Sequence, residues 1–567
     1  MYESLTTQAR KILAKDFALP DAHITWQRPV DPKHGDVSTA VALQVSKELK
    51  LRPKEIASTL ATHLASVEGV AKAEVAGAGY VNVWLTPAAL LMELQQSRTA
   101  HTASVTRKSD RPVIVEYSQP NIAKPLGIHH ILSTVIGQAI TNLYRHHGYN
   151  TIAINHLGDW GTQFGKLAVA MRKWGEGKTA TELGLDGLLA LYVRFHEEAE
   201  KETMLEDEAR AAFKKLEDGD AAMKVFWEEV VQVTMAALER TYERLHVSFD
   251  FVHGESFYMD KMQPILEEGK RKGVFHVGEE GALIVEFPEG TNLPPYMVLK
   301  GDGATLYSTR DLATVRYRVD QFHPEKILYV VDVAQQLYFQ QLFAAVQQLQ
   351  WDVPILEHVS FGRMSFADRK MSTRKGNILR LEEVLDEAVR RADAIIAARG
   401  ESIQTEDRPS LATMMGLGAV VYGILSQNRK MDIVFDWDRI LSFEGNSAPY
   451  LQYTHARAKS VLRKAEAGED YDLPAPSVPL TERERVLIGT LLLFPQVLRE
   501  ALDTHMPHKV ANFLYSLCQD FNAFYNAEPI LQAEGDTRAV RLGLTACTAV
   551  VLKTGAELLT LRVPDRM

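Results

Sequence analysis

The chain has 567 residues, too many for one hydrophobic core and enough for roughly three or four domains. Its 63 Lys and Arg against 73 Asp and Glu leave a net charge of -10, which excludes a nonspecific nucleic-acid coat but not a local basic patch. Cys518 and Cys547 are too few for a disulfide framework or a cysteine zinc site, so a reducing cytoplasm is expected, and the first residues, MYESLTTQARKILAK, lack the apolar core of a secretory signal.

Residues 1–108 read as a small α+β unit. Thr39 to Leu64 is helix-patterned, with Pro53 opening a second helix, and Lys72 to Trp84 alternates as a strand around Gly77 and Gly79. Tyr80 and Asn82 either present an aromatic face and an amide to a base or are ordinary strand residues beside a glycine bend. The polar stretch Gln96 to Arg111 reads as a linker.

Val113, Ile114 and Val115 then form a β-branched run typical of a buried parallel strand. Pro120 and Pro125 keep the next loop out of helix, and apolar residues from Ile128 through Ile131, Leu132, Val135, Ile136, Ala139, Ile140 and Leu143 recur at helical spacing. Thr151 to Asn155 supplies another strand. The loop Glu116 to His130 therefore sits at a strand's carboxyl end, where open α/β sheets bind ligands. His129 and His130 fall in the first helical turn, where backbone N–H groups favour an anion such as phosphate.

The glycines at 158, 161 and 165 mark close backbone approach or merely a tight turn. Residues from about 167 to 247 read as a helical insertion. Met297 to Ser308 carries an Asp-Gly hairpin signal, after which Asp311 opens a helix. Lys326 to Val331 is a further buried strand, with Gln335 in its exit loop, and His358 to Met364 a third. Lys370 to Asn377, KMSTRKGN, is either a solvated basic loop or a phosphate-clasping one.

Beyond about Leu385 no strand pattern is evident and a helical bundle is expected. The uncharged run Pro409 to Asn428 is long enough to cross a bilayer, but its three glycines, Gln427 and Asn428 read as a buried helix. Tyr450 to Lys464 interleaves Tyr450, Tyr453 and His455 with Arg457, Lys459, Arg463 and Lys464, a mixture that suits unstacked RNA bases or a half-solvated surface helix.

Taken together, EYSQPNIAKPLGIHHILSTVIG at 116–137, GDWGTQFG at 158–165, DGATLYSTRDLA at 302–313, KMSTRKG at 370–376, FEGNSAPYLQYTHAR at 443–457 and the ending at 564–567 resemble the arginyl-tRNA synthetases over nearly the whole chain. The resemblance implies a multi-domain protein: a Rossmann-like class I catalytic domain at 109–385 with its helical insertion, a small N-terminal α+β domain at 1–108, and an all-α C-terminal bundle at 386–567 that reads the anticodon. It implies that Glu116 and Asp311 face the guanidinium of arginine, with Tyr307 packing on it. Two carboxylates fit because a guanidinium offers five donors in a planar fork.

On the same resemblance, Asn121, Gln335 and Ser118 hold the amino acid's α-amino and carboxyl ends. Pro120, Lys124, Gly127, His129, His130, Lys370, Met371 and Ser372 contact ATP, with Lys124, His130, Lys370 and Ser372 as the catalytic set. Tyr80, Asn82, Tyr450, Tyr453 and Arg457 are expected to touch tRNA. Magnesium is expected to arrive with ATP rather than at a dedicated protein site, and the protein to act as a soluble cytoplasmic monomer, off the membrane, activating arginine only with tRNA bound. Two departures stand out. The family's H-x-G-H is Gly127-Ile128-His129-His130, and the fourth position of K-M-S-K is Thr373. They leave open a non-catalytic tRNA-binding relative, while another class I synthetase or a nucleotidylyltransferase is the alternative on fold grounds.

Overall fold

The computed structural model describes all residues except 1, 30, 103–107, 367–378, 401, 402, 404, 406 and 475–477. At its centre lies a parallel sheet of five strands, in the order Ile355–His358, Lys326–Tyr329, Ser109–Glu116, Tyr149–Asn155 and Phe251–Val252. Strand order reverses between Ser109–Glu116 and Lys326–Tyr329, so their carboxyl ends open a crevice, with Glu116 paired to Tyr329.

The β-branched run shows why both faces are covered. Val113 and Val115 pack on the side of helix His130–His146, whereas Ile114 faces helices Tyr307–Phe322 and Gln336–Gln348. By the same alternation Glu116 points toward helix Tyr307–Phe322.

The insertion is helical, as its composition suggests: Thr162–Trp174, Ala180–Ala199, Met204–Glu217 and Ala221–Arg244 run between strands Tyr149–Asn155 and Phe251–Val252. Thr179 and Glu182 cap the second of these reciprocally. The N-terminal unit is a three-stranded antiparallel sheet, Val37–Thr39, Val70–Ala76 and Tyr80–Leu85, under helices Tyr2–Phe17, Val41–Leu49 and Pro53–Leu64. It is joined to the bundle by the Arg485–Asp36 ion pair at 2.9 Å.

The C-terminal part is a bundle of long helices. Arg408–Leu425 is buried, as is Gly535–Leu558, and both are core helices of this bundle. The glycines of the first have a packing cause: a Cβ at Gly416 would lie 2.6 Å from the backbone of helix Leu381–Arg399. Helix Ala448–Lys464 clasps the C-terminal tail, with Gln452 donating to the Arg562 carbonyl at 2.9 Å and His455 facing that of Pro564 at 2.9 Å.

Five sequence expectations are corrected. The stretch from Gln96 is no linker as far as Thr102, because helix Pro87–Thr102 continues through it and Arg98 binds the Tyr471 carbonyl. The hairpin at 297–308 is reduced to one bridge between Leu299 and Thr305; strand Tyr296–Leu299 pairs with Leu283–Val285 instead. The Thr309 hydroxyl caps the Leu306 amide and starts the helix at Tyr307, so Asp311 lies inside the helix rather than opening it.

The strand expected over His358 to Met364 is two, Ile355–His358 and Met364–Phe366, broken where Gly362 lies against the Met431 carbonyl. Finally, a strand does occur past Leu385. Ile433–Phe435 pairs in parallel with Met364–Phe366, and three residues are too few to carry an alternating pattern.

Candidate active site

The loop after strand Ser109–Glu116 is held in shape by its own polar groups. Ser118 and Gln119 have φ of 77° and 52°, a region that disfavours residues with a side chain, and hydrogen bonds fix both. The Ser118 amide donates to the Ser133 hydroxyl at 2.9 Å, and the Gln119 amide to Asn155 Oδ1 at 3.1 Å. Further on, Asn121 bridges to Gly158. A Cβ there would sit 2.2 Å from Asn121 Oδ1, so the glycine in GDWGTQFG serves this contact.

At the strand's end Glu116 is buried and forms an ion pair with the fully buried Arg318, while its Oε1 accepts a 2.6 Å bond from Gln119 Nε2. Burial pushes the Glu116 carboxyl up, but the Arg318 guanidinium, helped by His156 and Gln119, brings it below the usual carboxylate range.

Asp311 lies within electrostatic reach of it and accepts a hydrogen bond from the Tyr338 hydroxyl. Burial raises Asp311 to about 7, the Tyr338 bond opposes this, and the neighbouring charges of Glu116 and Glu255 add to it. Tyr338 also meets Tyr296 at 3.2 Å between hydroxyls, and its ring is 5.1 Å from that of Tyr307. Tyr307 itself is 57 % exposed, at the edge of this acidic patch.

The side facing the helical insertion is differently built. A cleft of about 1040 Å³ is walled on one side by Pro120, Asn121, Lys124, Gly127, His129 and His130, and on the other by Asp186, Val193, Arg194 and Glu197 of the insertion. The Lys124 ammonium lies 4.8 Å over the Tyr192 ring. His130 Nδ1 lies 2.9 Å from the Gly127 amide nitrogen and 3.2 Å from its carbonyl oxygen. Burial, with the adjacent His129, lowers His130 to about 4, so near neutral pH it offers a hydrogen-bond donor and no charge.

His129, where the family has glycine, takes an ordinary helical φ of -65°, and its ring lies tilted against that of His130 with 3.9 Å between ring centres. Lys370, Met371 and Ser372, with Thr373, fall outside the described residues. The segment that follows them is pinned to this wall: the Ile128 amide donates to the Leu379 carbonyl at 2.9 Å, and the Leu381 amide to that of Leu126 at 2.8 Å.

Several expected residues are placed elsewhere or are engaged. Ser118 is 3 % exposed and its hydroxyl is shared with Tyr242 and Thr134. Asn82 is 4 % exposed and accepts from the Ser38 hydroxyl at 2.7 Å, whereas Tyr80 is 45 % exposed. Gln335 is exposed at the carboxyl end of the adjoining strand.

On the bundle, Arg457 lies between the rings of Tyr453 and Tyr525, at 4.7 and 5.0 Å, and bonds to Asn522; Tyr450 accepts from the same asparagine at 3.1 Å. Asn522 and Tyr525 were not anticipated. Neither were Tyr338, Tyr192 and Arg318, although Arg318 stands seven residues after Asp311, two turns along the same helix face.

Family models and known relatives agree on what this arrangement is. Residues 91–437 match the catalytic domain of "tRNA synthetases class I (R)", residues 451–567 the "DALR anticodon binding domain", and residues 3–85 the "Arginyl tRNA synthetase N terminal domain". The arginine–tRNA ligase of Chloroflexus aurantiacus is 39% identical over 538 residues, covering 93% of both chains. That of Fusobacterium nucleatum is 39% identical over 534 residues, covering 94% of this chain and 93% of its own.

Among solved structures, the arginyl-tRNA synthetase of Thermus thermophilus superposes over 100% of both chains with a TM-score of 0.80 at 26% identity. That of Plasmodium falciparum superposes over 100% of this chain and 99% of its own, with a TM-score of 0.82 at 23% identity. With three family domains matched in order and relatives 39% identical over more than nine-tenths of the chain, the chain belongs to the arginyl-tRNA synthetase family.

Proposed function

We propose that the protein is an arginine–tRNA ligase, joining arginine to AMP with release of pyrophosphate and then passing the arginyl group to the 3′ end of its tRNA. The observation that carries this is the pair Glu116 and Asp311 at the switch point of the sheet, beside the cleft of Lys124 and His130. Paired acids suit a planar cation and would be useless to an apolar or thiol side chain.

In this reading Asp311 and Glu116 take the guanidinium, Tyr307 covers it, and Asn121 and Gln335 hold the α-amino and carboxyl ends. The substrate carboxylate itself attacks the α-phosphorus, so the protein needs no nucleophile. Its task is alignment and neutralisation of the departing pyrophosphate. Lys124 supplies charge and the neutral His130 a hydrogen-bond donor. Lys370, Met371 and Ser372 join from the basic loop, whose far end is already fastened to Leu126 and Ile128.

Magnesium would travel on the triphosphate. Among the described residues the acids of the cleft do not gather into a group of three, and Asp186 is paired with Arg380 at 2.6 Å.

The same reading divides the chain into an N-terminal domain at 1–108 that meets the tRNA elbow through Tyr80, a catalytic domain at 109–385 with its insertion at 167–247, and an anticodon-reading bundle at 386–567. Tyr450, Tyr453 and Arg457 serve the last role, joined by Tyr525, because stacked aromatics and a guanidinium suit single-stranded bases. The enzyme is taken to work in the cytoplasm as a monomer.

Pyrophosphate exchange tests the whole reading. Labelled pyrophosphate should enter ATP with arginine and cognate tRNA present, and not with lysine. No exchange under those conditions would leave a non-catalytic tRNA-binding protein.

A further inference from the structure

Both oxygens of Glu116 are occupied, by two partners of different character. Arg318 has no exposed surface and approaches from the helix beneath the sheet, so it is a permanent counter-ion: withdrawing it would strand a buried carboxylate. Gln119 is half-buried on the loop that lines the crevice, and its side chain folds back to place Nε2 2.6 Å from Oε1. That NH₂ group is planar and has the same donor geometry as one arm of a guanidinium. It is also neutral, and a neutral donor holds a carboxylate less strongly than a charged one.

We propose that the Gln119 carboxamide is a built-in stand-in for the substrate guanidinium: it covers Glu116 Oε1 in the empty enzyme and is displaced when arginine binds. The inference rests on the reading that Glu116 faces the substrate side chain. Its consequence is selectivity. Arginine replaces a neutral donor by a charged one and gains from the exchange. A neutral ureido analogue such as citrulline offers Glu116 nothing better than the amide it must expel. Gln119 thus acts as a specificity-determining residue that penalises uncharged side chains of the right shape.

The sign of the expected effect separates this from loss of structure. Gln119→Ala, and Gln119→Asn with its amide one methylene too short to reach, should each bind arginine about fivefold more tightly than the wild type, the loss of one competing hydrogen bond. Both should also discriminate less against citrulline, measured by calorimetric titration of each amino acid into the full-length protein.

Weaker or unchanged arginine binding in whichever of the two variants folds, with Glu116→Gln still weakening it, overturns the stand-in role alone. Arginine binding that is indifferent to Glu116→Gln overturns the underlying site assignment and the stand-in with it.

Discussion

The two sites proposed above, an arginine end at Glu116 and Asp311 and a phosphate end at Lys124 and His130, carry their charged groups in opposite ways. At the arginine end the charged groups are buried and already partnered: Glu116 with Arg318 and Gln119, Asp311 with Tyr338. At the phosphate end they are open to the cleft, with Lys124 resting on the face of Tyr192 and His130 neutral. A flat cation of fixed shape is best met by acids whose geometry is set before it arrives, because buried charges are held stiffly by the partners they require. A triphosphate changes shape and charge during the reaction, and long flexible cations can follow it.

The comparison breaks first at the buried end. Arg318→Met leaves Glu116 uncompensated and should destabilise the catalytic domain by about 3–5 kcal/mol, read as an early unfolding transition in urea. If that transition does not move, Glu116 is not held by Arg318 in solution. Asp311→Asn should raise the KM for arginine by about 2–5 kcal/mol equivalent while kcat stays close to wild type, because one partner of a buried charged contact is lost.

Lys124→Ala, at the open end, should be milder. A loss of about 1.5–3 kcal/mol is expected in kcat/KM for ATP, with arginine affinity unaltered. Equal losses for both substrates from these last two changes would erase the division between the ends.

Acidity sharpens the contrast. Asp311 carries a proton below about pH 7 in the empty protein because it is buried. Arginine needs the ionised form, so its affinity should climb with pH, about tenfold per unit well below 7, and level off above it. The same group stabilises the empty fold at low pH. Its folded value lies above its unfolded one, so that contribution is present below the unfolded value and fades as pH rises through 7. His130, lowered to about 4, should add no inflection to the KM for ATP between pH 5 and 8.

The smallest effect is expected farthest from the chemistry. Arg457→Ala should weaken tRNA binding by about 1–3 kcal/mol, the range of one lost stacking contact, without changing exchange rates at saturating tRNA. A change in arginine affinity instead would place Arg457 outside the anticodon face.

Much of this was written in the order of residues along the chain. The β-branched run at 113–115, the prolines at 120 and 125 and the helical spacing from Ile128 fixed a strand, a loop and a helix locally, and six motifs in sequence pointed to the family. Short-range rules sufficed because each of these features is settled by neighbours within one turn or one strand. What they could not reach was which polar atoms remain free.

Ser118 and Asn82 looked available, yet Tyr242 and Thr134 take one and Ser38 the other, from segments as far as 124 residues away. Arg318 beneath Glu116, Tyr338 on Asp311 and the Gln119 amide over Glu116 exist as a site only once strand, loop and helices are packed together. A hydrogen-bonding group has few partners to satisfy, and the fold alone decides whether they come from the protein or are left for a substrate.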